Sequence, residues 1–290
     1  MKLVAHLGVL DEVELVGHVI DHLYRLGVDH LVVFDMGSTD GTLELLQKRA
    51  GSSFELVCLR NDTPWDVWQQ TAVECVRRTA ADWVLFLDGD EFWLPRGGDL
   101  KRILGACQAD ILIVDRFNVV LGPDGLQLPS RLDPASFGEL LLYCRRTPNF
   151  CQYLAEHPEA AWLGGVPVPK VVGRVAYIDS ITMGGHDVVT PAGRTVRQER
   201  AQDIVIAHAP ISSLARFRRR LVNIDSFLAL NPDYLQGSQG WHWRRWAEIH
   251  RQGKVEEEYR RQQLDDAELR ALRADGAILS AAQLLAGAAA

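Results

Sequence analysis

Short continuous apolar runs alternate with amphipathic stretches along the first part of the chain. Residues 3–9 and Leu31-Val32-Val33-Phe34-Asp35 read as strands, and between them Leu15, Val19, Leu23 and Leu26 recur at helical spacing until Gly27 ends the helix. Gly37-Ser38-Thr39-Asp40-Gly41 interrupts the pattern before a second amphipathic helix over 42–49. A strand over 54–59, a helix over 64–79 and a strand over 83–87 repeat it, the last ending at Asp88-Gly89-Asp90-Glu91. Strands and helices in this alternation predict parallel βαβ units. A helix over 100–107 and a strand over 110–114 follow, and Gly and Pro then break the periodicity to about residue 135.

Between 140 and 206 the apolar runs shorten (140–144, 171–172, 175–178, 204–206), which predicts small antiparallel strands closing over the sheet edge. From Ser213 onward Leu214, Phe217, Leu221, Ile224, Phe227 and Leu228 recur at three and four, so the tail reads as helix, as does the Ala- and Leu-rich stretch 265–290. With 290 residues, 47% hydrophobic and 24% charged, the chain has the composition of an α/β globular protein with a real core. No run approaches the roughly 18 apolar residues of a spanning helix, and no leader-like segment opens the chain. A cytoplasmic location is the default expectation, with peripheral contact at a membrane surface left open. The net charge of −7, without basic stripes, argues against nucleic acid as a partner. Five cysteines without CxxC spacing read as buried reduced thiols.

Chemistry concentrates at two strand ends. Asp88-Gly89-Asp90-Glu91 follows an apolar strand, where ligands bind in open α/β sheets. Asp88 and Asp90, two apart, project to one side if the strand geometry continues, and would repel unless a cation joins them. Mn²⁺ or Mg²⁺ with a diphosphate suits such a pair, whereas a solvated acidic turn is the plainer reading. Asp35 ends another strand and is placed to accept from a base or ribose, with Ser38, Thr39 or Asp40 capping the next helix. Neither a Walker loop nor a GxGxxG turn is present. His208, after the apolar run 204–206, and His186, between turns, compete as imidazole ligands. Arg216, Arg218, Arg219 and Arg220 repel one another unless acids or phosphates face them. A solvated face paired with acids is the reading for Arg216, Arg218 and Arg219. Lys170 is placed to reach a phosphate or an acceptor carboxylate. Trp241, His242, Trp243 and Trp246 suit either sugar stacking or a packed seam.

Asp11-Glu12, Asp35 with 37–42, Ala81-Asp82-Trp83-Val84 and Asp88-Gly89-Asp90-Glu91-Phe92-Trp93 occur in an order that resembles bacterial family 2 glycosyltransferases of the GT-A fold, DxD type. Later segments fit as well: Asp115-Arg116-Phe117-Asn118, Pro169-Lys170, Gly184-Gly185-His186, His208-Ala209-Pro210 and Gly240-Trp241-His242-Trp243. Leu10 and Ser212 stand where that family carries other residues. The resemblance implies a GT-A domain over 1–212, with a nucleotide-sugar half at about 1–120 and an acceptor half at about 121–212, and a helical extension over 213–290. It implies transfer from a nucleoside diphosphate sugar, UDP-linked, to a carbohydrate or other hydroxyl acceptor, with inversion. In that reading Asp90 and His208 (or His186) bind Mn²⁺ or Mg²⁺ and Asp88 bridges ribose and metal. Asp11, Glu12, Asp35, Asp40, Lys170 and Arg220 surround the donor. No spacing selects a catalytic base among Asp133, Glu139, Glu156 and Asp187. A non-catalytic nucleotide-sugar-binding module and a nucleotidyltransferase releasing pyrophosphate are the rival readings.

Overall fold

The computed structural model describes residues 1–287 except Asn61, Leu132 and 232–239. Strand and helix alternate through β1 (Leu3–Val9), α1 (Val16–Arg25), β2 (His30–Asp35), α2 (Thr42–Arg49), β3 (Phe54–Cys58), α3 (Trp65–Arg78) and β4 (Trp83–Asp88). Then come β5 (Glu91–Pro95), α4 (Leu100–Ala106), β6 (Ile111–Asn118), α5 (Pro134–Gly138), β7 (Leu141–Tyr143) and α6 (Phe150–Glu156). After these lie β8 (Lys170–Arg174), β9 (Ser180–Ile181), β10 (Val188–Val189) and β11 (Gln198–His208). The C-terminal part holds α7 (Leu214–Leu230), α8 (Trp241–Arg251), α9 (Val255–Gln262), α10 (Asp266–Ala274), β12 (Ile278–Ser280) and α11 (Ala281–Gly287).

The main sheet runs β3-β2-β1-β4-β8-β6-β11-β5. β3, β2, β1 and β4 are mutually parallel, as are β6 and β11, whereas β8 opposes both its neighbours and β5 opposes β11. With two small antiparallel pairs, β9–β10 and β7–β12, this is the mostly parallel, helix-flanked α/β class expected. Alternation along the strands sorts side chains to the two faces: Leu3, Ala5, Leu7, Leu31 and Val33 enter one core, and Val4, Val32 and Phe34 the other. Both faces of the central strands are therefore covered, as parallel sheets require.

β4 passes to β5 through Gly89-Asp90 alone, although β8, β6 and β11 stand between them in the sheet. Three residue steps reach about 11 Å, whereas four strand spacings across a flat sheet span about 19 Å. The sheet must curl, and curling draws the carboxyl ends of β4, β6 and β11 around one space. Gly89 suits this crossing, because a Cβ there would stand 3.0 Å from Glu12 Cγ and Val9 Cγ1.

Four expectations are corrected. β8 enters the middle of the sheet rather than its edge. The apolar stretch 175–178 forms a 3₁₀ turn over Val175–Tyr177 instead of a strand. The tail is not one helix, since Gly276 takes φ 73° after α10 and β12 then pairs with β7; residues 288–290 lie outside the described residues. Cys75 is buried, but Cys58 and Cys151 are exposed.

Candidate active site

The loops after β1 and β2 hold each other. Asp11 takes φ 57°, a strained setting for a side chain other than glycine. Its Oδ1 accepts from Thr39 N–H at 2.7 Å, and its own N–H donates to Ser38 Oγ at 2.9 Å. Glu12 N–H donates to Thr42 Oγ1 (2.8 Å) and Val13 N–H to Asp40 Oδ2 (3.2 Å). Asp35 is buried, and its Oδ2 accepts from the N–H groups of Gly37 and Ser38 at 3.1 Å each. Asp35 Oδ1 is buried with no hydrogen-bond partner. A buried carboxylate oxygen left bare is costly, which marks it as an acceptor awaiting a donor.

Asp88 and Asp90 do not share a face, because β4 stops at Asp88 and the chain turns. Asp88 is 44% exposed and accepts from Lys170 Nζ at 2.8 Å. Lys170, expected against a phosphate, is fully buried and also lies 3.3 Å from Glu91. Glu91 in turn meets Arg116 at 2.6 Å and accepts from Asp88 N–H at 3.1 Å. Asp90 is 1% exposed, and its Oδ2 accepts from Arg220 (2.6 Å) and Arg216 (3.0 Å). Burial alone would raise this carboxyl, but the two guanidinium groups outweigh it and hold it well below the usual carboxylate range.

α7 brings these cations. Arg216, Arg219, Arg220 and Asn223 lie on one helical face. Arg216 also forms two hydrogen bonds with Glu12, at 2.7 and 2.8 Å. Arg219 meets Asp40 at 3.1 Å, and Asn223 donates to Asp11 Oδ2 at 2.8 Å. Ser213 caps the helix by accepting from Arg216 N–H at 3.0 Å. The mutual repulsion of the arginines is thus met by the acids of the β1 and β2 loops and the β4 turn. Arg216, expected on a solvated face, is buried in their midst.

The histidines differ in setting. Asn118 Nδ2 donates to the carbonyls of Leu163 (3.1 Å) and Gly165 (2.8 Å), so its Oδ1 is the atom 2.8 Å from His208 Nδ1. Nδ1 therefore carries the proton, and Nε2 keeps a lone pair. That lone pair stands 3.7 Å from Asp90 Oδ1, which is buried with no hydrogen-bond partner. Burial, reinforced by Arg116, holds the His208 imidazole neutral far below its ordinary range. Two acceptors face each other across a gap that suits a cation, and a carboxylate with an imidazole is an appropriate donor set for Mn²⁺. His186 turns Nδ1–H to Pro169 O at 2.8 Å, and its charged neighbours are Lys170, Arg116 and Asp88.

Of the four candidate base acids, Asp133, Glu156 and Asp187 are tied locally. Asp133 caps α5 through Ser136 N–H (2.9 Å), Glu156 accepts from Gln152 (2.8 Å), and Asp187 accepts from Val188 N–H (2.8 Å). Glu139 follows the last turn of α5. None of these bonds reaches Asp88 or Asp90. Glu91, Arg116 and Asn118 are site residues to which the sequence pattern assigns no role. The spacing of Arg116 and Asn118 at the end of β6, two apart and so on one face, was the available signal.

A sequence profile described as "Glycosyl transferase family 2" matches residues 9–155. None of the curated proteins matches the chain. Among solved structures, the chain is similar to S. aureus TarS 1-349 in complex with UDP, at 13% identity over 90% of each chain with a TM-score of 0.37. The complex of the same protein with UDP-GlcNAc gives 12% identity, 90% of each chain and 0.34. Glucosyl-3-phosphoglycerate synthase from Mycobacterium tuberculosis in complex with UDP gives 19% identity over 64% of this chain and 62% of that one, with a TM-score of 0.34.

Proposed function

The chain belongs to glycosyl transferase family 2, and from that premise we propose that it moves a sugar from a UDP-linked donor to an acceptor hydroxyl, with inversion, and that a divalent cation assists. The observation that carries this reading is the facing pair of lone pairs, Asp90 Oδ1 and His208 Nε2, 3.7 Å apart and buried. Asp90 and His208 would hold Mn²⁺ or Mg²⁺, while Asp88, 44% exposed and held by Lys170, would face the donor. The cation would supply positive charge against the departing diphosphate, worth several kcal/mol in a site shielded from water.

Charge balance supports the same reading. Glu12, Asp88, Asp90 and Glu91 are already matched by Arg116, Lys170, Arg216 and Arg220. A diphosphate entering this neutral cluster brings negative charge that a divalent ion offsets. The bare Oδ1 of Asp35 accepts from the base, and the loop of Asp11, Glu12 and Asp40 borders the nucleoside. Arg220, 26% exposed at its side chain and bonded to Asp90 by one nitrogen, turns toward the diphosphate. Lys170 fixes Asp88 from below. Residues 1–212 form the catalytic domain in this reading, and 213–290 an extension whose first helix completes the donor pocket.

Calorimetry with UDP tests the assignment. Mn²⁺ should tighten UDP binding tenfold or more, about 1.4 kcal/mol, and Asp90→Ala should abolish that gain. With a UDP-sugar and Mn²⁺ the protein should release UDP. Binding indifferent to Mn²⁺ in both proteins refutes the metal assignment, and release of pyrophosphate instead points to nucleotidyl transfer. Binding with no turnover of any UDP-sugar leaves a nucleotide-sugar-binding module.

A further inference from the structure

We propose that the acceptor is an uncharged carbohydrate, seated on an aromatic row formed by Phe150, Tyr153 and His157 and continued by Trp241 toward the Asp90–His208 pocket. The inference rests on the reading of that pocket as the donor site. Positions 150, 153 and 157 fall on one side of α6 and the residue after it. Phe150 and Tyr153 stack with ring centres 5.8 Å apart and planes 20° apart, Tyr153 and His157 lie 4.5 Å apart, and Trp241 meets Phe150 at 6.5 Å.

The helix docks through Leu154, which is buried, and through Phe150, which is partly buried against the same cluster as Trp241, and it leaves Tyr153 and His157 outward. Tyr153 is 36% exposed and the His157 side chain 48%. Two exposed rings side by side, backed by the half-buried Phe150 and Trp241, form a patch suited to binding rather than rings scattered singly. Their faces are apolar, and their edges carry a hydroxyl and an imidazole nitrogen. A pyranose has the matching character, with C–H faces for stacking and a rim of hydroxyls for hydrogen bonds.

Charge selects a neutral ligand. Of the guanidinium groups just before α6, Arg145 pairs with Asp275 at 2.7 Å, and Arg146 lies 3.0 Å from Asp115, which it shares with Arg200. The acids nearby, Glu156 and Glu159, would repel a phosphate-bearing acceptor. The row also adjoins the donor pocket through a short relay. Gly165 lies so close to Phe150 that a Cβ there would stand 2.5 Å from the ring. The Gly165 carbonyl accepts from Asn118 at 2.8 Å, and Asn118 orients His208 opposite Asp90.

The test uses the full chain and the Tyr153→Ala/His157→Ala double variant, whose changes lie on exposed positions. Both are applied with UDP and Mn²⁺ to immobilised neutral di- to tetrasaccharides of hexopyranoses, and tryptophan fluorescence titration follows any that are retained. At least one glycan should bind, and the double variant should bind it at least tenfold more weakly. Equal affinity in the two proteins overturns the proposal, as does retention of no glycan by a protein that binds UDP. Capture instead by phosphatidylcholine–phosphatidylglycerol vesicles, lost in the double variant, overturns it in favour of a lipid. A wild-type chain that fails to bind UDP overturns the donor reading itself, and this inference with it.

Discussion

The two sides of the site are held by different forces. On the side proposed to take the donor (the donor side), loops after β1, β2 and β4 are joined to α7 by ion pairs in which Arg216 and Asp90 are nearly inaccessible. On the other side, α6, α8 and the segment around Trp162 meet through rings. Trp162 packs against Trp246 at 4.6 Å and His242 at 5.5 Å, and Trp246 is edge-on to Phe217 at 5.6 Å. Buried ion pairs add little net stability but are costly to break singly, because the survivor is left charged and unsolvated. Rings lose stability in proportion to the contact removed. α7 belongs to both sides, with Arg216 and Arg220 on one face and Phe217 and Leu221 on another.

The largest effect should come from breaking the charged side. Arg216→Met strands Glu12, removes the donor that the Ala209 carbonyl meets at 3.2 Å, and leaves the Pro210 carbonyl, which it meets at 3.0 Å, only the 3.5 Å bond from Arg220. A loss of about 3–5 kcal/mol follows, read from urea midpoints. Adding Glu12→Gln should recover part of that loss, since one stranded carboxylate disappears. If Arg216→Met costs under about 1 kcal/mol, no more than a surface pair, the donor side is not held by charge.

Acidification should act through buried imidazoles on both sides, His208 among the ion pairs and others among rings. His6 sits among Phe34, Trp68 and Phe86, His22 between Phe92 and Phe137, and His242 on Trp162. Burial lowers them to about 3, about 4 and about 3. The unfolded chain takes up protons below about 6.5, whereas the folded chain refuses them until pH 4 or lower. Stability is thus fully present above pH 6.5 and is lost as pH falls toward 4. His22 Nε2–H donates to Trp93 O at 2.7 Å, so His22→Gln keeps a donor there. That variant should lose about 2 kcal/mol less than wild type between pH 7 and pH 5. Parallel curves for the two proteins would show that His22 takes no part.

Much of the donor side was legible in the sequence because its signals are local. Apolar runs of β2 and β4 ending in Asp35 and Asp88, with helices between, identify the sheet and place both acids at the carboxyl ends of its strands. The arginine run of α7 announced that acids must face it. Which acids could not be read, since Arg216 and Asp90 are 126 residues apart and meet only because the sheet curls. The same curl turned Asp90 inward where strand alternation placed it beside Asp88. β8 was misplaced for a related reason: Val171-Val172 is apolar enough for any sheet position, and only pairing to both β4 and β6 fixes it centrally.

The smallest effect should sharpen the contrast from within the charged side. Arg219 pairs with Asp40 as Arg216 pairs with Glu12, but its side chain is 36% exposed. Asp40 does not depend on it, since Oδ1 accepts from Thr42 N–H at 2.9 Å and Oδ2 from Val13 N–H at 3.2 Å. Arg219→Ala therefore leaves a carboxylate that remains hydrogen-bonded to backbone, and the lost pair was partly screened by water. About 0.5 kcal/mol is expected, shrinking further in 0.5 M NaCl as screening grows. A salt-independent loss of more than about 2 kcal/mol would mean that Asp40 relies on this guanidinium, and the rim of the donor side would then be as strained as its centre.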